Sequence, residues 1–505
     1  MSLSTWHTLT AGQLIPTAAL PILPIAALQA DLLAAVADGE RVSALFGWRL
    51  TPDCVRVVAV LAADAAGRLR VAAADVGSEM PSLTPACPQV HLFEREIAEQ
   101  TGVVPVGHPW CKPVRFAPMD YPGTAAPADR ATPPIGVMDF FRMDGDEVHE
   151  VAVGPVHAGV IEPGHFRFQC HGETVYHLEI SLGYQHRGIE KRLVGGPHPR
   201  SFHQIQAAAG DTSIGHGLSY CQACEALAGS RVSARAQAIR GIALELERLA
   251  NHTGDLGALA GDVGFLPTQN YCGAIRGDFL NMTALLCGSR LGRDLLRPGG
   301  VAFDLEPTRV DDLRRRLDKA DREVTNAVEL MFATASVPAR FEDTGRVDRA
   351  LAEAIGLVGP AARASGLPRD VRQDHPSGIY QVQHPPVSVW NSGDVFARAT
   401  VRWLEIQRSL RFIREVLAGL PPEREDRPAG ALAPESLVVT LNEGWRGEIC
   451  HVAITDSQGH FARYKVVDPS FHNWFGLALA LRSQAISDFP LCNKSFNLSY
   501  CGFDL

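Results

Sequence analysis

Cys221 and Cys224 stand three residues apart in a stretch of helical periodicity, a spacing that puts two side chains on one helix face. Two thiols so placed suit a metal or a redox pair. The plainer reading, favoured over the metal or redox pair, is two small buried residues on a packed helix. No second Cys-x-x-Cys pair follows, so the spacing of a structural zinc site is not met. Four histidines, His157, His165, His186 and His216, fall within sixty residues of one another. Imidazoles bind metals and carry protons, but each of these alone reads as a core or turn histidine. There is no cysteine set spaced for an iron–sulfur cluster and no Gly-x-Gly-x-x-Gly loop. Any nicotinamide or ferredoxin chemistry must therefore belong to partners.

These residues must be positioned by a chain of 505 residues, enough for two to four domains at about 150 residues each. With 46% hydrophobic and 20% charged residues, the composition excludes a disordered chain, a collagen and a coiled coil. The net charge of −9 offers no basic stripe to a phosphate backbone, so nucleic acid is not an expected partner. No apolar run reaches the ~18 residues of a membrane-spanning helix, and the first residues lack the pattern of a signal peptide. Eleven cysteines, an odd number, fit free thiols in a reducing, cytoplasmic compartment.

The periodicities predict an α+β chain. Residues 1–116 read as a small mixed α/β domain. It has a helix at 31–36, a hairpin of strands at 54–61 and 69–74 around an Asp-Ala-Ala-Gly turn, and a helix at 90–99. A proline-rich stretch at 117–136 reads as a linker. Residues 137–505 open with strands at 148–153, 164–169 and 175–180. Helices follow at 213–228, 234–255, 313–333 and 393–419. Strands return at 437–442, 448–455 and 460–467. The expectation is a helical bundle flanked by β elements from both ends.

Residues 151–193, VAVGPVHAGVIEPGHFRFQCHGETVYHLEISLGYQHRGIEKRL, carry a specific likeness, most of all in GYQHRGIEK. The segment closely resembles the large subunit of group 4 membrane-bound nickel–iron hydrogenases of the formate hydrogenlyase type. It also resembles the related 49-kDa, quinone-site subunit of respiratory complex I. Further matching segments are RAQAIRGIALELERLANHTGDLGALAGDVGF (235–265), SGDVFARATVRWLEIQRSLRFI (392–413) and GWRGEICHVAITDSQGHFARYKVVDPSF (444–471). The stretch PSLTPACPQVHLFEREIAEQTGVVPVGHP (81–109) is similar to the 30-kDa subunit of complex I. The formate hydrogenlyase type carries both parts fused in this order, so the resemblance covers nearly the whole chain.

The resemblance implies a site with altered ligands. A nickel–iron centre is held by four thiolates, supplied in the family by Cys-Gly-x-Cys-x-x-x-His and Asp-Pro-Cys-x-x-Cys. The first motif falls on residues 209–216, where Gly210 and His216 persist but Ala209 and Thr212 replace the cysteines. The second falls on 497–502, where Ser499 and Gly502 take the ligand places and Cys501 is one residue off. A nickel–iron centre is therefore expected to be absent, and no cofactor is expected on this chain. The tyrosine that holds quinone in the complex I relative aligns with Gly210. Glu162 matches the proton-relay glutamate of the hydrogenases, with a capping or salt-bridged carboxylate as the other reading. Arg446 matches the arginine beside their metals, or is a structural ion pair. Glu162, Arg446 and His216 are thus the candidate cavity residues. Glu190 matches a magnesium ligand, but the histidine that would complete that site is missing, because the chain stops at Leu505. That stop is also read as leaving no maturation peptide.

The expected role is that of a nickel-free large-subunit homologue in a membrane-associated, complex I-like assembly. It would lie between an iron–sulfur subunit, which holds the cluster, and proton-pump-like membrane subunits, peripheral on the cytoplasmic face of the inner membrane. The alternatives are a quinone-reacting oxidoreductase subunit and a non-redox subunit of an ion or small-molecule transport complex.

Overall fold

The computed structural model describes residues 6–117, 134–157, 161–422 and 427–505. All but the ends of the proline-rich stretch read as a linker lies outside the described residues. The N-terminal part is built on an antiparallel sheet in the order His7–Leu9, Arg68–Val76, Cys54–Ala63, Arg41–Thr51. The expected hairpin is present: Ala63 pairs with Arg68 across the turn. Gly67 takes φ +59 there, a conformation that costs a residue without Cβ little. The helices Ile25–Ala37 and His91–Thr101 contact this sheet.

A second antiparallel sheet runs Phe461–Val467, Gly447–Thr455, Ser436–Gly444, Leu14–Pro16. Both central strands are buried along their whole length. Side chains alternate between two faces. Leu437, Val439, Leu441, Val452 and Ile454 enter the same core as the N-terminal sheet. Val438, Ala453, Tyr464 and Val466 pack instead with Tyr220, Cys224 and Leu227 of the helix Ser213–Leu227. The first twenty residues thus contribute a strand to a sheet that sequence reasoning built from 437–467 alone.

A third sheet places His165–His171 between Val148–Val153 and Thr174–Ser181. The helices Ala234–Asp262, Leu266–Cys287, Pro307–Ala333 and Val395–Ala418 share a further core around Leu249, Phe279, Leu313, Val324 and Ile406. The periodicity did not reveal Leu266–Cys287, where two glycines and scattered polar residues blur the apolar stripe, although Pro267 in its first turn suits a helix start. Also unforeseen were Pro469–Ala480, Phe489–Phe496 and the last turn, Tyr500–Asp504.

Candidate functional site

The motif GYQHRGIEK follows the strand Thr174–Ser181 and leads into the short helix Ile189–Leu193. It is fastened to the end of the chain. The Asp504 carboxylate accepts the Gly183 and Gln185 N–H groups at 2.7 and 2.8 Å. The Leu505 carbonyl accepts those of Arg187 and Gly188, and His186 Nδ1 lies 2.7 Å from the Asp504 carbonyl. The Arg187 guanidinium donates to the carbonyls of Ala207, Ala208 and Cys501 at 2.6, 2.9 and 2.8 Å. One arginine therefore joins the residues just ahead of the first segment read as a former ligand motif to the second, almost three hundred residues further along the chain.

Arg446 sits on the turn between Ser436–Gly444 and Gly447–Thr455 and grips both segments. Its two Nη atoms reach the Asp211 carboxylate at 2.6 and 2.9 Å, and its Nε donates to the Asn497 carbonyl at 2.5 Å. The guanidinium stacks on the Trp445 ring at 3.9 Å. Trp445 Nε1 in turn donates to the Thr212 hydroxyl at 3.1 Å. The geometry gives Arg446 an ion pair with Asp211. His216 lies in the first turn of Ser213–Leu227, fully buried. Its Nε2 is 2.9 Å from Asp468 and its Nδ1 is 3.2 Å from His451 Nε2. His451 Nδ1 continues the file to the Tyr464 hydroxyl at 2.9 Å. Burial pushes the Asp468 carboxyl up, but the His216 contact and the Arg446 charge outweigh it and hold it below the usual range. His451 is held well below its usual value by burial first and by His216 second.

Ser499 caps the last helix: its hydroxyl accepts the Gly502 N–H at 2.9 Å. Glu162 is half-buried at the other side, its carboxylate facing the Cys501 thiol. Burial, followed by that carboxylate, lifts the Cys501 thiol to about 11, so at neutral pH it is neither a ready thiolate nor a nucleophile. Of the four positions that the resemblance assigns to metal ligands, Thr212 has its hydroxyl 3.4 Å from Arg446 Nη1, Gly502 lies against Asp468, and Ser499 caps the turn that holds Gly502. The four positions present a methyl group, two hydroxyls and no side chain at all. A Cβ added to Gly502 would lie 2.6 Å from Asp468 Oδ2. This donor set does not fit a nickel–iron centre. Among the described residues no group of three or more His, Cys, Asp or Glu is placed to hold a metal ion.

The remaining sequence candidates go elsewhere. Glu190 is buried and bonded to Arg463, Lys465 and the Val466 N–H, each at 3.0 Å. Its oxygens are committed to an ionic cluster that also holds Glu96, Gln100 and Arg115 of the N-terminal part. Cys221 packs in the helical core and Cys224 in the core facing the second sheet. Burial raises both thiols, Cys224 to about 12. His165 Nδ1 meets the Gly154 carbonyl at 2.9 Å. His157 lines a cleft of about 450 Å³ with Ile161, Phe166, Phe489, Asn497 and Tyr500.

Sequence reasoning missed Asp211, Asp255, His451 and Asp468, and with them a set of buried charges in the helical core. A signal existed. Glu245, Arg248, His252 and Asp255 recur every three or four residues along Ala234–Asp262, a polar stripe on a helix whose other faces are also buried.

Comparison with known proteins agrees with this architecture. Residues 28–130 match the family described as respiratory-chain NADH dehydrogenase, 30 Kd subunit, and residues 262–431 match the 49 Kd subunit family. Formate hydrogenlyase subunit 5 of Escherichia coli (strain K12) is 31% identical over 438 residues, 84% of this chain and 76% of that protein. The carbon monoxide-induced hydrogenase of Rhodospirillum rubrum is 30% identical over 69% of this chain and 97% of its own length. An NADH-quinone oxidoreductase subunit of Clostridium beijerinckii is 29% identical over 66% of this chain and 91% of its own. The chain belongs to the family of large subunits shared by formate hydrogenlyase-type hydrogenases and NADH-quinone oxidoreductases, with the 30-kDa-type part fused ahead of the 49-kDa-type part.

Proposed function

We propose that this chain is a nickel-free large subunit of a membrane-associated, complex I-like oxidoreductase complex. There it couples electron transfer in partner subunits to an ion-moving membrane module. One observation carries this reading. The clamp that brings residues 207–212 and 497–505 together is complete, through Arg187, Asp504 and Arg446, whereas the side chains inside it are Ala209, Thr212, Ser499 and Gly502. A scaffold kept without its donors suits transmission of charge or shape better than hydrogen activation.

In this reading an iron–sulfur protein docks near the exposed Arg187 and supplies the cluster, and membrane subunits of ion-pump type hold the complex to the cytoplasmic face of the inner membrane. Among the described residues no helix is long and apolar enough to cross a membrane, so attachment would run through those partners. The test is purification of the native complex with metal analysis, hydrogen-evolution assay and identification of its subunits. Nickel at one atom per chain, or hydrogen evolution, overturns the nickel-free reading. A complex lacking any iron–sulfur protein overturns the coupling role.

A second reading is favoured by the cleft beside Tyr500. Its apolar walls and few polar groups suit a quinone or another small electron acceptor, with Glu162 nearby to exchange a proton. Quinone-dependent turnover of the complex, lost in Glu162→Gln while assembly persists, supports this reading. Turnover unchanged by that substitution removes it.

A further inference from the structure

A file of buried hydrogen-bonding side chains leads from the former ligand motifs toward the exposed turn at 197–200, and neither reading uses it. At its inner end the Asp468 carboxylate stands beside Gly502 and senses the charge of Arg446. His216 Nε2 is 2.9 Å from that carboxylate, His216 Nδ1 is 3.2 Å from His451 Nε2, and His451 Nδ1 is 2.9 Å from the Tyr464 hydroxyl. The file continues through Cys224, whose thiol faces the Tyr464 hydroxyl and is hydrogen-bonded to that of Tyr220. Tyr220 is bonded in turn to the Ser201 hydroxyl, and Ser201 Oγ accepts the N–H of exposed His198 at 2.9 Å. From Asp468 to Ser201 no member is more than 2% exposed. The local structure lines them up: His216, Tyr220 and Cys224 recur every four residues on one face of Ser213–Leu227. His451 and Tyr464 stand on neighbouring strands of the second sheet, on the side that faces this helix.

Each link has a direction. Burial raises Asp468, but His216 and Arg446 outweigh it, so the carboxylate is ionised and only accepts. The hydrogen is therefore on His216 Nε2. In its one-hydrogen form His216 leaves Nδ1 bare, and His451 donates to it from Nε2. Burial holds His451 neutral, so its Nδ1 accepts the Tyr464 hydrogen. Burial also raises Tyr464, Cys224 and Tyr220, which keep their hydrogens at neutral pH. A hydroxyl or thiol has one hydrogen to give. The Tyr464 oxygen is left to accept from Cys224, the Cys224 sulfur from Tyr220, and the Tyr220 oxygen from Ser201. All the hydrogens point inward, the arrangement in which each bond polarises the next. Groups at the side do not interrupt it. Glu190 faces His451 but is bonded to Arg463, Lys465 and the Val466 N–H. The Cys221 and Cys450 thiols near Tyr464 are also raised by burial and stay protonated.

We propose that this file is a proton route between the surface turn at 197–200 and the Asp468–His216 pair, separate from Glu162. Inward transfer runs by exchange of hydrogens. A proton from water joins the Ser201 oxygen as its own hydrogen passes to Tyr220. The same exchange repeats at Cys224, Tyr464 and His451, and the last hydrogen crosses from His451 Nε2 to His216 Nδ1. One proton enters, no electron moves, and every oxygen and sulfur on the way ends with one hydrogen. The loaded state is a His216 imidazolium held against the Asp468 carboxylate. Outward transfer is the same series reversed. The route serves either reading, because it lets a proton follow a negative charge that appears beside Arg446, whether in a partner's cluster or in a bound acceptor.

The test is exchange of the imidazole N–H hydrogens with heavy water, read by nitrogen NMR on the full chain carrying isotope-labelled histidine. His216→Gln and His451→Gln assign the two signals. In wild type both rings should hold hydrogen on Nε2 and exchange it faster than the backbone amides of Ser213–Leu227 exchange theirs. Tyr220→Phe removes one hydroxyl, leaves the volume almost unchanged and touches neither imidazole. It should slow exchange at both rings about tenfold, with the tautomers and the amide protection unchanged. Cys224→Ala should slow exchange likewise, and Cys224→Ser should restore it, since a hydroxyl again carries one hydrogen. Equal ring exchange in wild type and Tyr220→Phe overturns the route, and so does a hydrogen on His451 Nδ1 in place of Nε2. Should Tyr220→Phe fail to fold, the two Cys224 variants decide: equal exchange in Cys224→Ala and wild type overturns the proposal.

Discussion

Two glycines in the former ligand motifs have opposite surroundings. A Cβ at Gly210 would meet nothing within 4 Å, whereas one at Gly502 would press on Asp468 Oδ2 at 2.6 Å and on Ser499 Oγ at 2.9 Å. Gly210→Cys should therefore change stability by less than about 0.5 kcal/mol. Gly502→Cys should cost about 1–3 kcal/mol, because the cap and the buried carboxylate must both shift. Thermal unfolding of the two variants side by side checks this, and equal losses would mean that Asp468 yields freely. Arg187 gives a further prediction. Its alanine variant frees the carbonyls of Ala207, Ala208 and Cys501 together. A loss of about 1–3 kcal/mol is expected, in keeping with charge-assisted bonds at a partly exposed site.

At the scale of elements, the ionic cluster around Glu190 locks the short helix Ile189–Leu193 to the strand Phe461–Val467 and to the helix His91–Thr101. Lys465 is shared by Glu96 and Glu190, and Arg463 reaches both Glu190 and Gln100. Removing one partner strands the others away from water. Glu190→Gln should destabilise the chain by about 3–5 kcal/mol, measured by denaturant unfolding. It should do so whether or not magnesium is supplied; rescue by magnesium would revive the metal-ligand reading of Glu190. Strand pairing works in the same direction: Leu14–Pro16 on Ser436–Val438 ties the first residues to the last sheet.

For the whole molecule, buried carboxyls set the pH dependence of stability. Glu443, Glu247, Asp374 and Asp504 are raised to about 7, 8, 6 and 6. The folded state binds their protons more tightly than the unfolded chain does. Their contribution is therefore complete below the unfolded values near 4 and is lost as pH climbs through 6 to 8. Asp64, Glu190 and Glu405 are lowered by facing cations, and their contribution is lost in acid. Stability should peak in mildly acidic solution. The melting temperature should be lower at pH 8.5 than at pH 5.5, and Glu443→Gln should narrow that gap. A melting temperature that rises with pH across this window would contradict the buried-carboxyl account.

By itself the sequence determined the family, through GYQHRGIEK and the other motif segments, and the elements whose period is clean: the hairpin of strands at 54–61 and 69–74, the strands within 437–467 and the helices at 213–228, 234–255, 313–333 and 393–419. It also determined that Ala209, Thr212, Ser499 and Gly502 are not thiols, because identity at a position is a local fact. It left open the partners of Arg446, Glu190 and Cys221, and it hid the buried ion pairs of the helical core. Those depend on segments from far along the chain meeting in three dimensions. Only that meeting removes water, and only without water does an extra carboxylate have to take up a proton or an arginine have to find a fixed acceptor.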